Sequence, residues 1–334
     1  MTGKAIITGG AGFIGSHLAE RLKQRGDDIL IIDNLSTGRL ENINHLLDDR
    51  CRFLEADACK AVADDAIWRG VTHVYHLAAA VGVQRVVEDP AAMVHNNVEQ
   101  TAAVLDAARR HDVAVLITSS SEVYGKCPVL PLREDMELVY GPTTASRWAY
   151  GLTKAVDEHL AIDMHRRFGL RSVVVRLFNT IGPRQVGHYG MVVPRFVDKA
   201  ISNQPIEVFG DGTQTRAFCD VRDVTRALTE LMNRDDCYGR VFNVGSEHRV
   251  TINELADTVI RLAGSDSTVT HIPYEAVYGP DFEDPPHRLP DVTRIRQAIG
   301  FTPTISLEQT LTELIELKRR ESSSVAAPTG GDVS

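Results

Sequence analysis

Short runs of consecutive apolar residues, separated by helical patterns, organise the first half of this chain. They lie at 4–8, 29–33, 51–54, 73–78, 113–119 and 172–178. The second run, Ile29-Leu30-Ile31-Ile32, has no polar face. A strand that reads this way is buried on both sides, as in a parallel sheet covered by helices. Helix-period patterns fill the intervals, most clearly over 91–111 and 149–168. Strand and helix in alternation predict an α/β fold, a doubly wound parallel sheet with crossover helices on both faces. After about residue 180 the texture changes. Gly182-Pro183, Gly210-Asp211-Gly212, Gly279-Pro280 and Pro285-Pro286 punctuate short helices and loops. The expected division is a larger domain over 1–180 and a smaller C-terminal lobe over 181–320, with some strands interleaved with the first domain. A disordered Ser/Ala/Gly/Pro-rich tail is expected over 321–334. The lobe would cover the carboxyl ends of the strands, where such sheets bind ligands.

The first strand runs straight into Thr8-Gly9-Gly10-Ala11-Gly12-Phe13-Ile14-Gly15, and a helical pattern follows. Strand, glycine turn and helix are the context of a dinucleotide-binding Rossmann fingerprint. The early glycines, Gly9 among them, allow a tight turn, Gly12 lets a pyrophosphate approach the backbone, and Gly15 lets the helix pack on the strand. The N–H groups around Phe13 and Ile14 open the helix toward the phosphates. The second strand ends in Asp33-Asn34. A carboxylate at that distance accepts hydrogen bonds from ribose hydroxyls and repels a 2′-phosphate, which favours NAD. The alternative for Asp33 is a turn cap with Asn34, and Arg39 lies near enough in sequence to accept a 2′-phosphate. Asp57, after the third strand, fits an acceptor for the adenine amine or a plain loop aspartate. Ala78, in His76-Leu77-Ala78-Ala79-Ala80, leaves room for a cofactor. His76 reads as a packed, hydrogen-bonded histidine.

Charge and cysteine content narrow the function classes. The 334 residues carry a net charge of −9, which gives no support to nucleic-acid binding. No run reaches the roughly 18 apolar residues of a membrane helix. The chain begins directly in a strand, so no signal peptide is expected. Cys51, Cys59, Cys127, Cys219 and Cys237 form no CxxC pair and read as free thiols rather than a metal site or a disulfide frame. Cytoplasm is the expected location.

The sharpest chemical signal is Tyr150-Gly151-Leu152-Thr153-Lys154. Residues four apart share one helix face. A phenol has an ordinary pKa of about 10, and an adjacent ammonium favours its phenolate. Tyr150 would then take a hydroxyl proton during a hydride transfer, with Lys154 also holding the cofactor ribose.

Together these motifs resemble the extended short-chain dehydrogenase/reductase family, in particular its nucleotide-sugar-modifying members. The resemblance spans about 1–318. It rests on TGGAGFIGSHL (8–18), HLAAA (76–80), SSSEVYG (119–125), YGLTK (150–154), RLFNTIGPR (176–184), FGDGTQTRAFCDVRD (209–223) and FNVGS (242–246). It implies tightly held NAD, oxidation of a sugar hydroxyl, usually at C4, and reaction of the 4-keto sugar. It implies that Ser120 bonds the C4 oxygen, that Tyr150 is the base and Lys154 its partner. Asn179, Arg216 and Arg288 would contact the nucleotide diphosphate, and Arg184 falls within the same substrate-side motifs. A homodimer paired through the helices at 91–111 and 149–168 is also implied, with a UDP-sugar as substrate.

Glu122, in Ser120-Ser121-Glu122-Val123-Tyr124, separates the possible reactions. Simple 4-epimerases usually have a small or hydroxyl residue there. The 4,6-dehydratases use a glutamate to remove the C5 proton, and UDP-glucuronate decarboxylases carry the same S-E-V-Y-G string. Arg147-Trp148-Ala149-Tyr150 and His287-Arg288-Leu289-Pro290-Asp291 resemble the decarboxylases further. The loop Gln185–Pro194 departs from both familiar decarboxylase loops. The expectation is therefore a UDP-glucuronate decarboxylase-like enzyme, followed by a UDP-glucuronate or UDP-glucose 4-epimerase and then a 4,6-dehydratase. Glu122 as a purely structural carboxylate is the remaining alternative.

Overall fold

The computed structural model describes residues 3–79, 89–187, 191–279 and 285–325. Six strands follow in order: β1 (Lys4–Thr8), β2 (Asp28–Asp33), β3 (Cys51–Glu55), β4 (Val71–His76), β5 (Ala114–Ser120) and β6 (Ser172–Leu177). The short β7 (Thr180–Ile181), β8 (Ile206–Phe209), β9 (Thr215–Ala217) and β10 (Cys219–Asp220) precede β11 (Arg240–Val244). β12 (Arg249–Thr251) and β13 (Val269–Ile272) complete the set. The main sheet has the order β11-β6-β5-β4-β1-β2-β3, with every pairing parallel. Strand order reverses between β1 and β4, the switch point where a doubly wound sheet opens a crevice.

The apolar runs work as the pattern predicts. Ile29 and Ile31 of β2 enter one core with Leu18, Leu22 and Phe242, while Leu30 and Ile32 enter the other with Val104, Leu105 and Ala161. Period-two alternation thus feeds two cores from one strand, and each core needs its own layer of helices. The helices Pro90–Arg110 and Ala149–Phe168 cover the second core. The fourth strand ends at His76, before the expected 78. Leu77 and Ala78 leave the sheet because they lie against the glycine turn, where a Cβ on Gly9 would sit 2.7 Å from the Ala78 nitrogen.

A third core lies in the C-terminal half. Phe196, Val208, Leu255, Val259 and Leu311 join the helices Val192–Ile201, Ile252–Ala263 and Leu307–Val325 to β8. The Ile252–Ala263 helix starts at a capping box, Thr251 with Glu254. β11 returns from this half to the main sheet beside β6.

The expected tail over 321–334 begins too early. The Leu307–Val325 helix takes in its first five residues, and 326–334 lie outside the described residues. Buried Leu311 and Ile315 anchor that helix, and the Ser322 and Ser323 hydroxyls bond back to Lys318 and Arg319 carbonyls. Among the described residues no helix is long and apolar enough to cross a membrane.

Candidate active site

A cleft of about 700 Å³ opens at the carboxyl ends of the central strands, between them and the C-terminal lobe. Its floor is the glycine turn. Gly9 has φ +69°, and a Cβ on Gly15 would overlap the Gly9 carbonyl. Only glycine therefore lets the Phe13–Arg25 helix start this close to β1. Gly12 caps that helix with no side chain over its end. The N–H groups of the first turn have no acceptor within the helix and need one from outside. Gly9, Gly12, Phe13, Ile14 and Gly15 all line the cleft.

Asp33 closes the far side of the turn. Its Oδ2 accepts from the Ala11 N–H at 3.0 Å and its Oδ1 from Leu35 at 2.8 Å. Burial pushes its carboxyl up, against the pull of those N–H groups. Each oxygen keeps a lone pair for a ribose hydroxyl. Asn34 and Ala78 also line the cleft, whereas Arg39 does not. Asp57 lines it too, but its side chain caps the Ala58–Val62 helix through the Cys59 N–H at 2.9 Å. A backbone cradle that a Cβ would fill, an open helix N-terminus and a ribose-side carboxylate fit NAD. Ala80 and residues 188–190 of the departing loop lie outside the described residues.

Ser120 ends β5 and its side chain accepts from the Glu122 N–H at 3.2 Å. Tyr150 lies near the start of the Ala149–Phe168 helix and hydrogen-bonds Ser120. Burial pushes the Tyr150 phenol up, reinforced by the charges of Glu122 and Asp157, while the bond to Ser120 acts the other way. Lys154 departs from the expected pairing. Its Nζ donates to Asp157 Oδ2 at 2.8 Å, and it is not among the residues on the cleft wall. The reason is a carboxylate one turn further along the same face.

Glu122 is held by two arginines rather than by backbone. Arg147 donates to both of its oxygens, at 2.6 and 3.2 Å, and Arg288 Nη1 donates to Oε1 at 2.5 Å. Burial alone would raise the Glu122 carboxyl; the Arg288 and Arg147 charges outweigh it and hold the group well below the usual carboxylate range. Arg288 is 6 % exposed, and its Nε and Nη2 have no hydrogen-bond partner among the described residues. Buried donors of this kind call for an acceptor. The resemblance assigned Arg288 to a diphosphate; its observed partners are Glu122 and Ser121, which follow Ser120 in the chain.

Arg216 on β9 and Asn179 after β6 line the same cleft. Arg216 Nη1 bonds the Thr215 carbonyl at 2.8 Å, and the Arg288 N–H bonds that carbonyl at 3.3 Å, so both arginines hang from one backbone junction. Arg184 is a correction. Its guanidinium bonds Ser16 Oγ at 3.1 Å and pairs with Glu20, both on the Phe13–Arg25 helix, and it does not line the cleft. The left-handed backbone at Arg184, φ +69°, accompanies this turn toward the helix. Sequence reasoning left Arg147 and Asp157 out of the site. Arg147 had a signal in the Arg-Trp pair before Tyr150, and Asp157 had one in its spacing from Lys154.

His76 is packed as expected, with Nδ1 on Thr8 Oγ1 at 2.7 Å and Nε2 on Thr101 Oγ1 at 3.2 Å. Burial, then the Lys154 charge, takes its pKa down from 6.5 to about 3. The folded protein then binds fewer protons than the unfolded chain between these values. The stabilisation is complete above pH 6.5 and is lost as pH falls toward 3. Urea melts of wild type and His76→Asn should differ in pH dependence by about 2 kcal/mol between neutral pH and pH 5. Parallel curves would contradict the assignment.

Comparison with known proteins converges on one family. A model described as the NAD dependent epimerase/dehydratase family matches residues 5–245. The UDP-N-acetyl-alpha-D-glucosaminuronate decarboxylase of Bacillus cytotoxicus is 37% identical over 317 residues, covering 95% of this chain and 98% of that protein. UDP-glucuronic acid decarboxylase 1 of Arabidopsis thaliana is 34% identical over 313 residues, 93% of this chain and 69% of that one. Among solved structures, UDP-glucuronic acid 4-epimerase from Bacillus cereus, in complex with UDP-glucuronic acid and NAD, superposes with a TM-score of 0.83 at 28% identity, over 94% of this chain and 99% of its own. The chain is an enzyme that belongs to the NAD dependent epimerase/dehydratase family.

Proposed function

We propose that this enzyme decarboxylates a UDP-linked hexuronate, UDP-glucuronate or a near relative, through a transient 4-keto sugar. The observation that carries the reading is the Arg147–Glu122–Arg288 group beside Ser120 and Tyr150. Two guanidiniums against one carboxylate leave a net positive charge next to the reacting group. That suits a substrate with its own carboxylate at C6. A Glu122 locked as an ion is a weak base, which counts against a dehydratase that would use it to remove the C5 proton.

The expected roles follow. Gly9, Gly12, Gly15, Phe13, Ile14, Asp33, Asn34 and Ala78 hold the cofactor, and Lys154 is paired with Asp157. Bound NAD supplies the acceptor, and afterwards the donor, of the C4 hydride. Tyr150 takes the C4 hydroxyl proton, with Ser120 bonded to the same oxygen. A ketone at C4 places the C6 carboxylate in the β position. The C5–C6 bonding pair then moves toward C4 as carbon dioxide leaves. Ser120 and Tyr150 donate hydrogen bonds to the enolate oxygen that forms. A proton then reaches C5 and restores the ketone. Arg216 and Asn179 hold the diphosphate.

A cytoplasmic homodimer belongs to the same reading. Leu152 and Val156, four apart on the Ala149–Phe168 helix, are exposed apolar residues on the expected dimer face.

Relative kcat/KM tests the substrate class. UDP-glucuronate or UDP-N-acetylglucosaminuronate should exceed UDP-glucose by at least about 10²-fold, the worth of one well-formed charge-assisted contact. Equal or better turnover of the neutral sugar would sink the proposal in favour of a hexose epimerase.

A further inference from the structure

The buried carboxylate of Asp157 has no place in the reaction as derived, yet it takes the ammonium that the reaction needs. Asp157 and Lys154 are almost wholly buried, at 0% and 2% exposure, and joined at 2.8 Å. Asp157 Oδ1 accepts no hydrogen bond of normal geometry among the described residues. A buried carboxylate costs stability unless it is paired and hydrogen-bonded, and Asp157 has Lys154 and the Thr101 hydroxyl for this.

The groups around the pair are few. On their own helix, Tyr150 lies one turn before Lys154 and Glu158 one residue after Asp157; Glu158 is neutralised by Arg176 at 2.7 Å. From β5 and the turn after it come Ser120 and Glu122, the latter held by Arg147 and Arg288. From the Pro90–Arg110 helix comes Thr101, which faces Asp157 and also bonds His76 of β4. Glu122 is compensated twice over. Asp157 is the anion near Tyr150 whose only ion-pair partner among the described residues is the catalytic lysine itself.

We propose that Asp157 is a positioning residue: it anchors the Lys154 ammonium on the helix face and offsets that positive charge at Tyr150. In the absence of a positively charged cofactor the tyrosine keeps its proton, because the lysine charge is spent on Asp157. A bound oxidised nicotinamide adds the charge that tips Tyr150 toward phenolate. The site is thereby a base only when an oxidant is in place. This inference rests on the role of Tyr150 in the proposed reaction, and its first readout needs no sugar substrate.

The test is a pH titration of the tyrosinate ultraviolet band in the NAD-loaded protein. The matching Tyr150→Phe spectrum is subtracted to remove the other seven of the eight tyrosines. Asp157→Asn keeps the shape and an acceptor oxygen but removes the charge; Asp157→Ser is a second neutral variant. Each should lower the Tyr150 midpoint by roughly half a unit to one unit, since removing an anion favours a second one. The acid limb of kcat/KM should move the same way. An unmoved or raised midpoint in a folded neutral variant overturns the proposal. Failure of both variants to fold, with Lys154→Met folding normally, would make Asp157 a folding residue and overturn it too. Loss of activity toward uronates in wild type, with the midpoint shift intact, would count against the substrate reading alone.

Discussion

Replacing Tyr150 with Phe is expected to lower kcat by about 10²- to 10⁴-fold while leaving bound NAD in place. The phenol oxygen is the group bonded to Ser120 at the edge of the cleft. Phenylalanine keeps the ring and removes only the proton acceptor. Cofactor contacts on the glycine turn and Asp33 lie on other elements and should persist. Turnover of UDP-glucuronate, with the cofactor retained through gel filtration measured on the same sample, checks both halves. Activity within a few-fold of wild type would remove Tyr150 from the chemistry.

The second large effect is expected from Arg288→Met. Methionine fills much of the same volume without the charge or the donors. The substitution also removes the two buried donors that lack a partner among the described residues. Glu122 keeps its two bonds to Arg147, so the fold should hold. Losing one charge-assisted pair to a substrate carboxylate costs about 3–4 kcal/mol, or roughly 10²- to 10³-fold in kcat/KM for a uronate. Inhibition by UDP-glucose, which has no carboxylate, should change far less. The variant's stability should also depend less on acid pH. Burial would raise the Glu122 carboxyl, and the two arginines depress it, so its stabilising contribution is present above about pH 4.5 and is lost as pH falls below it. With one guanidinium gone the depression is smaller, so less stability is lost over that acid range. Equal losses for the charged and neutral nucleotide sugars would mean that Arg288 holds the diphosphate instead.

The sheet was legible because strands buried on both faces must be continuously apolar, and β2 shows the rule residue by residue. The glycine turn was legible because the contact of Gly15 with the Gly9 carbonyl leaves no room for any other residue. Ser120 and Asn179 reach one cleft because a parallel sheet gathers its strand ends on one side, and Tyr150, Arg216 and Arg288 join them from other elements. Other features depend on distances that no local pattern encodes. Glu122 and Arg288 are 166 residues apart in the chain, and Arg147 is 25 from Glu122. Arg184 belongs to a motif at the cleft, but its backbone turns it to Glu20 and Ser16, a choice made by tertiary packing. The spacing of Tyr150 and Lys154 was read correctly as one helix face, yet a third member of that face, Asp157, takes the ammonium.

Mass spectrometry of the products formed from purified protein, NAD and UDP-glucuronate in deuterated water tests the central claim most directly. Decarboxylation predicts loss of one carbon dioxide and gain of one deuterium at C5. An unchanged mass with inverted configuration at C4 would contradict it, making the enzyme a 4-epimerase and leaving the Arg147–Glu122–Arg288 group to bind the carboxylate without breaking it off.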